Sequence, residues 1–216
     1  MTEPDLSLTV NSVNGVGMSS VGNSSALRSK VLEAYSSAAK SPSDKQPFPV
    51  GRAFAERLGY SATLLDGLPG VAVESFAGVS NIHEFAPVPK ATTVLDLGCG
   101  AGLDSLITAR AVGRYGKVIG VDFSETMLQR ARAAAKEAKI YNVQFKRADA
   151  EQLPIKTSSV DVALVNGIFN LNPSRELIFR ELVRVLRPRG RAYAAELILA
   201  GPLPTTVTQA DADWFA

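Results

Sequence analysis

The chain has one cysteine, one histidine and one tryptophan in 216 residues. A single thiol excludes an internal disulfide, and with a single imidazole it leaves no His/Cys cluster of metal-ligand spacing. No metal is expected. Net charge is also lacking: 23 basic and 21 acidic residues leave +2, too little to suggest nucleic acid or an anionic membrane as partner. No apolar run is long enough to cross a bilayer. The stretch Met1 to Asn23 is rich in Ser, Gly and Asn, carries acids at Glu3 and Asp5, and lacks the basic-plus-apolar build of a secretory signal or transit peptide. These absences predict a cytoplasmic chain with neither nucleic acid nor membrane as partner. Its length suits one domain with a substantial core, and it has no internal repeat.

What the chain does have is Val94-Leu-Asp-Leu-Gly-Cys-Gly-Ala-Gly102. Apolar residues around one acid read as a short buried strand. Glycines at every second position then turn the chain into a helix starting near Leu103. A strand, a glycine turn and a helix N-terminus together form a loop for a nucleotide cofactor. A dinucleotide fingerprint wants glycines at the first, third and sixth positions. Counting from Gly98, the sixth position is Leu103, and the third glycine comes one place early, at Gly102.

Helical spacing predicts Ala26–Lys40, with Leu27, Val31, Leu32 and Tyr35 on one face. It also predicts Arg52–Leu58, Ala62–Leu68 capped by Ser61, and a helical stretch over Val71–Phe76. After Pro89 strands and helices alternate. The predicted strands are Thr93–Leu97, Lys117–Val121, Val143–Arg147, Val160–Val165 and Arg191–Ile198. The predicted helices between them are Leu103–Val112, with Leu106, Ile107 and Ala111 inward; a Ser124-capped helix to about Ala138; and a helix from Asn172-Pro173 to about Leu186, with Leu177, Ile178, Leu182, Val185 and Leu186 inward. Alternation of this kind predicts an α/β fold with a doubly wound, mostly parallel sheet. Four segments follow: a disordered tail over 1–25, a helical cap or lid over 26–90, a cofactor-binding core over 91–200 and a C-terminal extension over 201–216.

Ligands of such sheets bind at the carboxyl ends of the strands. Asp122 ends the second strand twenty residues past Gly102, where a carboxylate can accept from ribose hydroxyls. Asp149-Ala150 ends the third, where an acid and a backbone N–H can read adenine. Asn166 ends the fourth. His83, in the loop Ser80–Phe85, is a general-base candidate or a plain surface histidine.

The D-x-G-x-G-x-G pattern of Asp96 to Gly102 resembles motif I of the class I S-adenosylmethionine (SAM) methyltransferases. Leu186-Arg-Pro-Arg-Gly-Arg191 resembles the closing turn before their fifth strand, with Arg189 in place of its first glycine. Ser75-Phe-Ala-Gly-Val-Ser-Asn81, Val118–Asp122, Met127-Leu128 and Asn166-Gly-Ile-Phe-Asn-Leu-Asn172 are similar to segments of the arsenite methyltransferase branch. The resemblance covers roughly Tyr35 to Ile198. It implies a Rossmann-like core with SAM as cofactor, held by Tyr35, Asp96, Gly98, Cys99, Gly100, Gly102, Asp122, Phe123, Met127, Asp149, Ala150 and Asn166. A core role is an equal reading of Tyr35. The implied activity is methyl transfer to a small-molecule acceptor; no catalytic residue is assigned. SAM binding without turnover is the alternative, and an NAD-linked oxidoreductase is a more distant one.

The chain also departs from the branch, whose thiolates bind trivalent arsenic as soft ligands of a soft metalloid. Val79 stands at one matched thiol position, and Gly167 and Phe169 occupy the region of the second. Cys99 lies inside the glycine loop. The family adds two strands after the fifth; here only eighteen residues follow Ile198. An open edge is therefore expected on strand five, covered by Thr205–Ala216, by pairing with a partner, or by sequence missing from a fragment. Truncation at a recoded selenocysteine codon after Asp211–Ala216 is a further expectation.

Overall fold

The computed structural model describes residues 20–41 and 46–197, with side chains from residue 29 onward. Residues 1–19 of the expected tail lie outside this range, as do Leu27 as a face residue, Ile198, and the Thr205–Ala216 and Asp211–Ala216 segments.

Five strands form one parallel sheet in the order β3-β2-β1-β4-β5: β1 (Thr93–Leu97), β2 (Lys117–Asp122), β3 (Val143–Arg147), β4 (Val160–Asn166) and β5 (Leu186–Ala195). The doubly wound, parallel α/β sheet predicted from the alternation is what forms, with the Rossmann-like core that the resemblance implies. The chain winds outward from β1 through β2 to β3, then returns to place β4 on the other side of β1. The switch point, where parallel sheets open a crevice, therefore lies between β1 and β4. Val94 pairs with Val118 and Val162, and Leu95 with Ile119 and Ala163.

The near-continuous apolar strands serve two layers. Leu95, Leu97, Val121, Ala163 and Val165 pack with Ile178, Leu182 and Val185 of helix α7 (Arg175–Val185). Val94, Val118, Val162 and Leu164 pack with Ala109 and Val112 of α5 (Leu103–Val112). Full burial of each such side chain stabilises the fold by about 1.5–3 kcal/mol.

The N-terminal elements are α1 (Ser20–Lys40), α2 (Arg52–Arg57), α3 (Ala62–Asp66), α4 (Gly70–Val73) and a 3-10 turn at Ile82–Glu84. Tyr60, Leu65, Leu68 and Phe76 pack on Leu103 and Leu106 of α5 and on Ala134 and Ala135 of α6 (Glu125–Glu137). Ala38 and Ala39 of α1 meet Ala101 and Met127. Two expected caps form: Ser61 Oγ accepts from Leu64 N at 3.2 Å, and Ser124 Oγ from Met127 N at 3.4 Å.

Several expectations are corrected. Helix α1 begins at Ser20 rather than Ala26, and Leu32 is exposed rather than inward. Ala111 also faces solvent, because Ala109 and Val112 take the buried stripe of α5. As expected, no helix separates β3 from β4; the loop 148–159 crosses, anchored in the core by Leu153 and Ile155. Helix α7 starts at Arg175 because Asn172 Oδ1 accepts from Ser174 N at 2.7 Å, a local turn that delays the helix. Leu177 is then exposed.

Strand β5 starts at Leu186, ahead of the expected Arg191. Its pairing with β4 jumps from Val160↔Leu186 to Val162↔Arg191, so Arg187–Gly190 form a bulge. β5 is an edge of the sheet among the described residues.

In that bulge Arg189 holds φ +69° at the place where the family pattern has glycine. A left-handed non-glycine residue costs about 1–2 kcal/mol, against which glycine adds about 0.5–1 kcal/mol of unfolded-state entropy. Arg189→Gly is therefore expected to stabilise the chain by about 0.5–1 kcal/mol in urea unfolding. A destabilised variant would show that the Arg189 side chain contributes more than its backbone costs.

Candidate active site

A cleft of about 1050 Å³, its open mouth included, lies at the carboxyl ends of β1, β2 and β4. Of the twelve residues expected to form the site, Tyr35, Asp96, Gly98, Cys99, Gly100, Asp122, Phe123, Met127, Asp149, Ala150 and Asn166 all line it.

Gly102 does not line the cleft. A Cβ there would lie 3.1 Å from both Ala131 and Phe145, and its φ is +87°. This glycine lets α5 start close against α6 and β3. Gly100 is the opposite case: φ is +50° and nothing stands within 4 Å of a would-be Cβ, so its backbone is open to a ligand.

Asp122 ties the loop to β2. One carboxylate oxygen accepts from Gly100 N at 2.9 Å and the other from Ser124 N at 2.8 Å. Burial pushes its pKa up to about 6 despite these amides. Asp96, 2% exposed, accepts from Ser105 Oγ at 2.5 Å; burial and then the nearby Asp104 raise its pKa as well. Burial likewise pushes the Cys99 thiol up, so it is a poor nucleophile. Tyr35 of α1 packs on Phe48 with ring centroids 4.7 Å apart, and burial followed by Asp122 raises its hydroxyl pKa.

Asp104 and Tyr60 are participants that the sequence reading missed. Asp104 lines the cleft and is buried, with its carboxylate receiving Tyr60 Oη–H at 2.6 Å and Asn166 Nδ2–H at 3.0 Å. His83 Nε2 lies 3.1 Å from the same carboxylate. His83 is therefore not a plain surface histidine; it sits in the 3-10 turn and braces Asp104, and it is not among the residues lining the cleft. In the sequence Asp104 reads as an ordinary first-turn acid favoured by the helix dipole, which hides it.

Asn166 is a strut. Its Oδ1 accepts from Val79 N at 2.9 Å and Ser80 N at 3.2 Å, and its Nδ2 also donates to Ser80 O at 2.9 Å. This pins the segment before β1 over the end of β4. It also brings together the two positions matched to family thiols: a Cβ on Gly167 would lie 2.9 Å from Val79 Cγ1. A valine methyl and a bare backbone meet there. No helix among the described residues is long and apolar enough to cross a membrane.

Comparison with known proteins adds to this geometry. A family model described as a methyltransferase domain matches residues 89–214. An arsenite methyltransferase of Halobacterium salinarum is 38% identical over 161 residues, covering 74% of this chain and 40% of that protein. A demethylmenaquinone methyltransferase of Lactococcus lactis is 38% identical over 104 residues, 48% of this chain and 41% of that protein. The chain thus spans about two fifths of the length of these relatives.

Among solved structures, an arsenic (III) S-adenosylmethionine methyltransferase from Chlamydomonas reinhardtii superposes with a TM-score of 0.54 at 27% identity, over 74% of this chain and 53% of that one. The [4+2]-cyclase SpnF superposes with a TM-score of 0.51 at 26% identity, over 56% of this chain and 45% of that one.

Because the pKa of Asp122 is higher folded than unfolded, the folded chain binds more protons between about pH 4 and 6. Stability therefore falls as pH rises through that window. In Asp122→Asn the fall in unfolding free energy from pH 4 to 7 should be smaller by about 2–3 kcal/mol. Urea unfolding at several pH values measures this, and an unchanged slope would refute the assignment.

Proposed function

The chain belongs to the methyltransferase-domain family, and from that premise we propose that it binds SAM in the cleft and directs methyl transfer to a small organic acceptor. The observation that carries this reading is the chemistry of the cleft wall. Asp96, Asp104, Asp122, Asp149 and Glu151 line it, while among the described residues no lysine, arginine or histidine does. Such a wall suits a cofactor that is cationic at its reactive end and opposes the pyrophosphate of a dinucleotide.

When bound, SAM supplies a methyl carbon on a charged sulfonium that leaves readily. The part of the chain is positional. Asp122, already oriented by two amides, accepts from the ribose hydroxyls. Asp149 and the backbone of Ala150 take the adenine edge, Met127 and Phe123 form apolar wall, and Asp96 faces the ammonium. Tyr35 on α1 closes the lid side and keeps water out.

The acceptor side favours an organic nucleophile over arsenite. Val79 rests on Gly167, Phe169 is buried in the core, and Cys99 is the chain's one thiol, so the soft ligands that a metalloid needs are missing from this chain. The match to a demethylmenaquinone methyltransferase is in keeping with this choice. A second reading, cofactor binding without methyl transfer, has one observation in its favour: the [4+2]-cyclase SpnF has the same fold.

Calorimetry with SAM, its demethylated product and NAD tests the cofactor, and labelled SAM with thiol, amine, hydroxyl and arsenite acceptors tests the reaction. SAM and its product should bind, and Asp122→Ala should weaken both by roughly tenfold to a hundredfold, as loss of a charged hydrogen-bond acceptor does. Binding of NAD alone overturns the proposal. SAM binding with no labelled product on any acceptor decides for the second reading.

A further inference from the structure

Acids and cations are segregated along the strand axis. The cleft at the carboxyl ends of the strands is lined by five acids and, among the described residues, by no cation. A groove lies at the opposite end, where Lys117 and Val143 open β2 and β3 and α5 ends at Val112. It encloses about 1470 Å³, its open mouth included. Four of its twelve described lining residues are cations, Arg110, Arg114, Lys117 and Lys139, and none is an acid. The net charge of +2 averages the two ends and conceals both.

These cations are not committed to acids. Among the described residues none of the four takes part in an ion pair. Arg110 donates to Gly67 O at 2.7 Å. Arg114 donates to Tyr115 Oη and lies 4.4 Å from the centre of that ring. Lys117 and Lys139 are exposed. The carbonyls that end α5, which would oppose an anion, are already occupied. Asn142 Nδ2 donates to Ala109 O at 2.8 Å and to Gly113 O at 3.0 Å, and Ala91 N donates to Val112 O at 2.9 Å.

Two aromatic rings stand beside the charges. Tyr141 lines the groove and is 84% exposed; Tyr115 is 75% exposed. Cations that follow phosphates, with open rings on which bases stack, are what holds a single-stranded nucleic acid. An acidic peptide would satisfy the cations and leave the rings without use. A bilayer takes an apolar face that sinks into it, whereas this surface is concave and polar.

We propose that the groove is a docking surface for single-stranded nucleic acid, with Arg114, Lys117 and Lys139 on phosphates and Tyr141 against a base. It lies at the end of the sheet away from the cleft, so the strand is held by the chain and is not its methyl acceptor.

Fluorescence anisotropy of the full chain with a labelled oligoribonucleotide of about twelve nucleotides tests this. At about 50 mM salt the dissociation constant should be micromolar, and log K should fall against log[salt] with a slope of about −2, as for three phosphate contacts on a single strand. The double variant Lys117→Gln, Lys139→Gln should bind about tenfold or more weakly, with a slope of about −0.7. Tyr141→Ala should bind about fivefold or more weakly with an unchanged slope. These side chains are exposed, so each variant should melt at the wild-type temperature. No binding, a slope untouched in the double variant, or no loss in Tyr141→Ala would overturn the assignment. So would polyglutamate or phosphatidylserine vesicles that bind as tightly as the oligoribonucleotide, since the surface would then serve an acidic peptide or an anionic lipid.

Discussion

The Asp104 carboxylate holds the cleft together. A buried carboxylate is stable only when its oxygens are hydrogen-bonded, and this one draws its partners from separate parts of the chain. Tyr60 reaches it from the turn between α2 and α3, His83 from the 3-10 turn, and Asn166 from the end of β4. The acid itself sits in the first turn of α5, directly after the glycine loop. Satisfying it therefore fixes the N-terminal elements, the loop and the switch point of the sheet relative to one another. Asn166 extends the brace by holding Val79 and Ser80.

The same design concentrates negative charge. Burial raises the pKa of both Asp96 and Asp122, which means that their ionised forms cost the ligand-free fold stability near neutral pH. A core selected for stability alone would not gather acids in this way. In the proposed reading a cationic cofactor beside Asp96 offsets part of that cost.

The fold does not decide the acceptor. Relatives that match this chain carry the names of arsenite and demethylmenaquinone methyltransferases, and a cyclase has the same architecture. What distinguishes this chain locally is the contact of Val79 with Gly167, a valine methyl against bare backbone at positions matched to thiols of the resembling branch.

Much of this was legible before any coordinates. The period of the apolar residues located β1, β3 and α5 to the residue, and Ser61 and Ser124 announced their helices, because a cap hydroxyl needs only its own next turn. Features that depend on distant partners were not legible: the bulge at Arg189, the exposure of Ala111 and Leu177, and the bracing of Asp104. Gly102 reads as a cofactor glycine from spacing, yet it serves packing against Ala131 and Phe145, residues far along the chain. By itself the sequence determined the parallel sheet, the glycine loop and the acids at the strand ends, since these follow from local periodicity and spacing. Only the tertiary structure decided which of those groups face the cleft and which brace it, because burial and hydrogen-bond partners are set by contacts across 40 to 90 residues of chain.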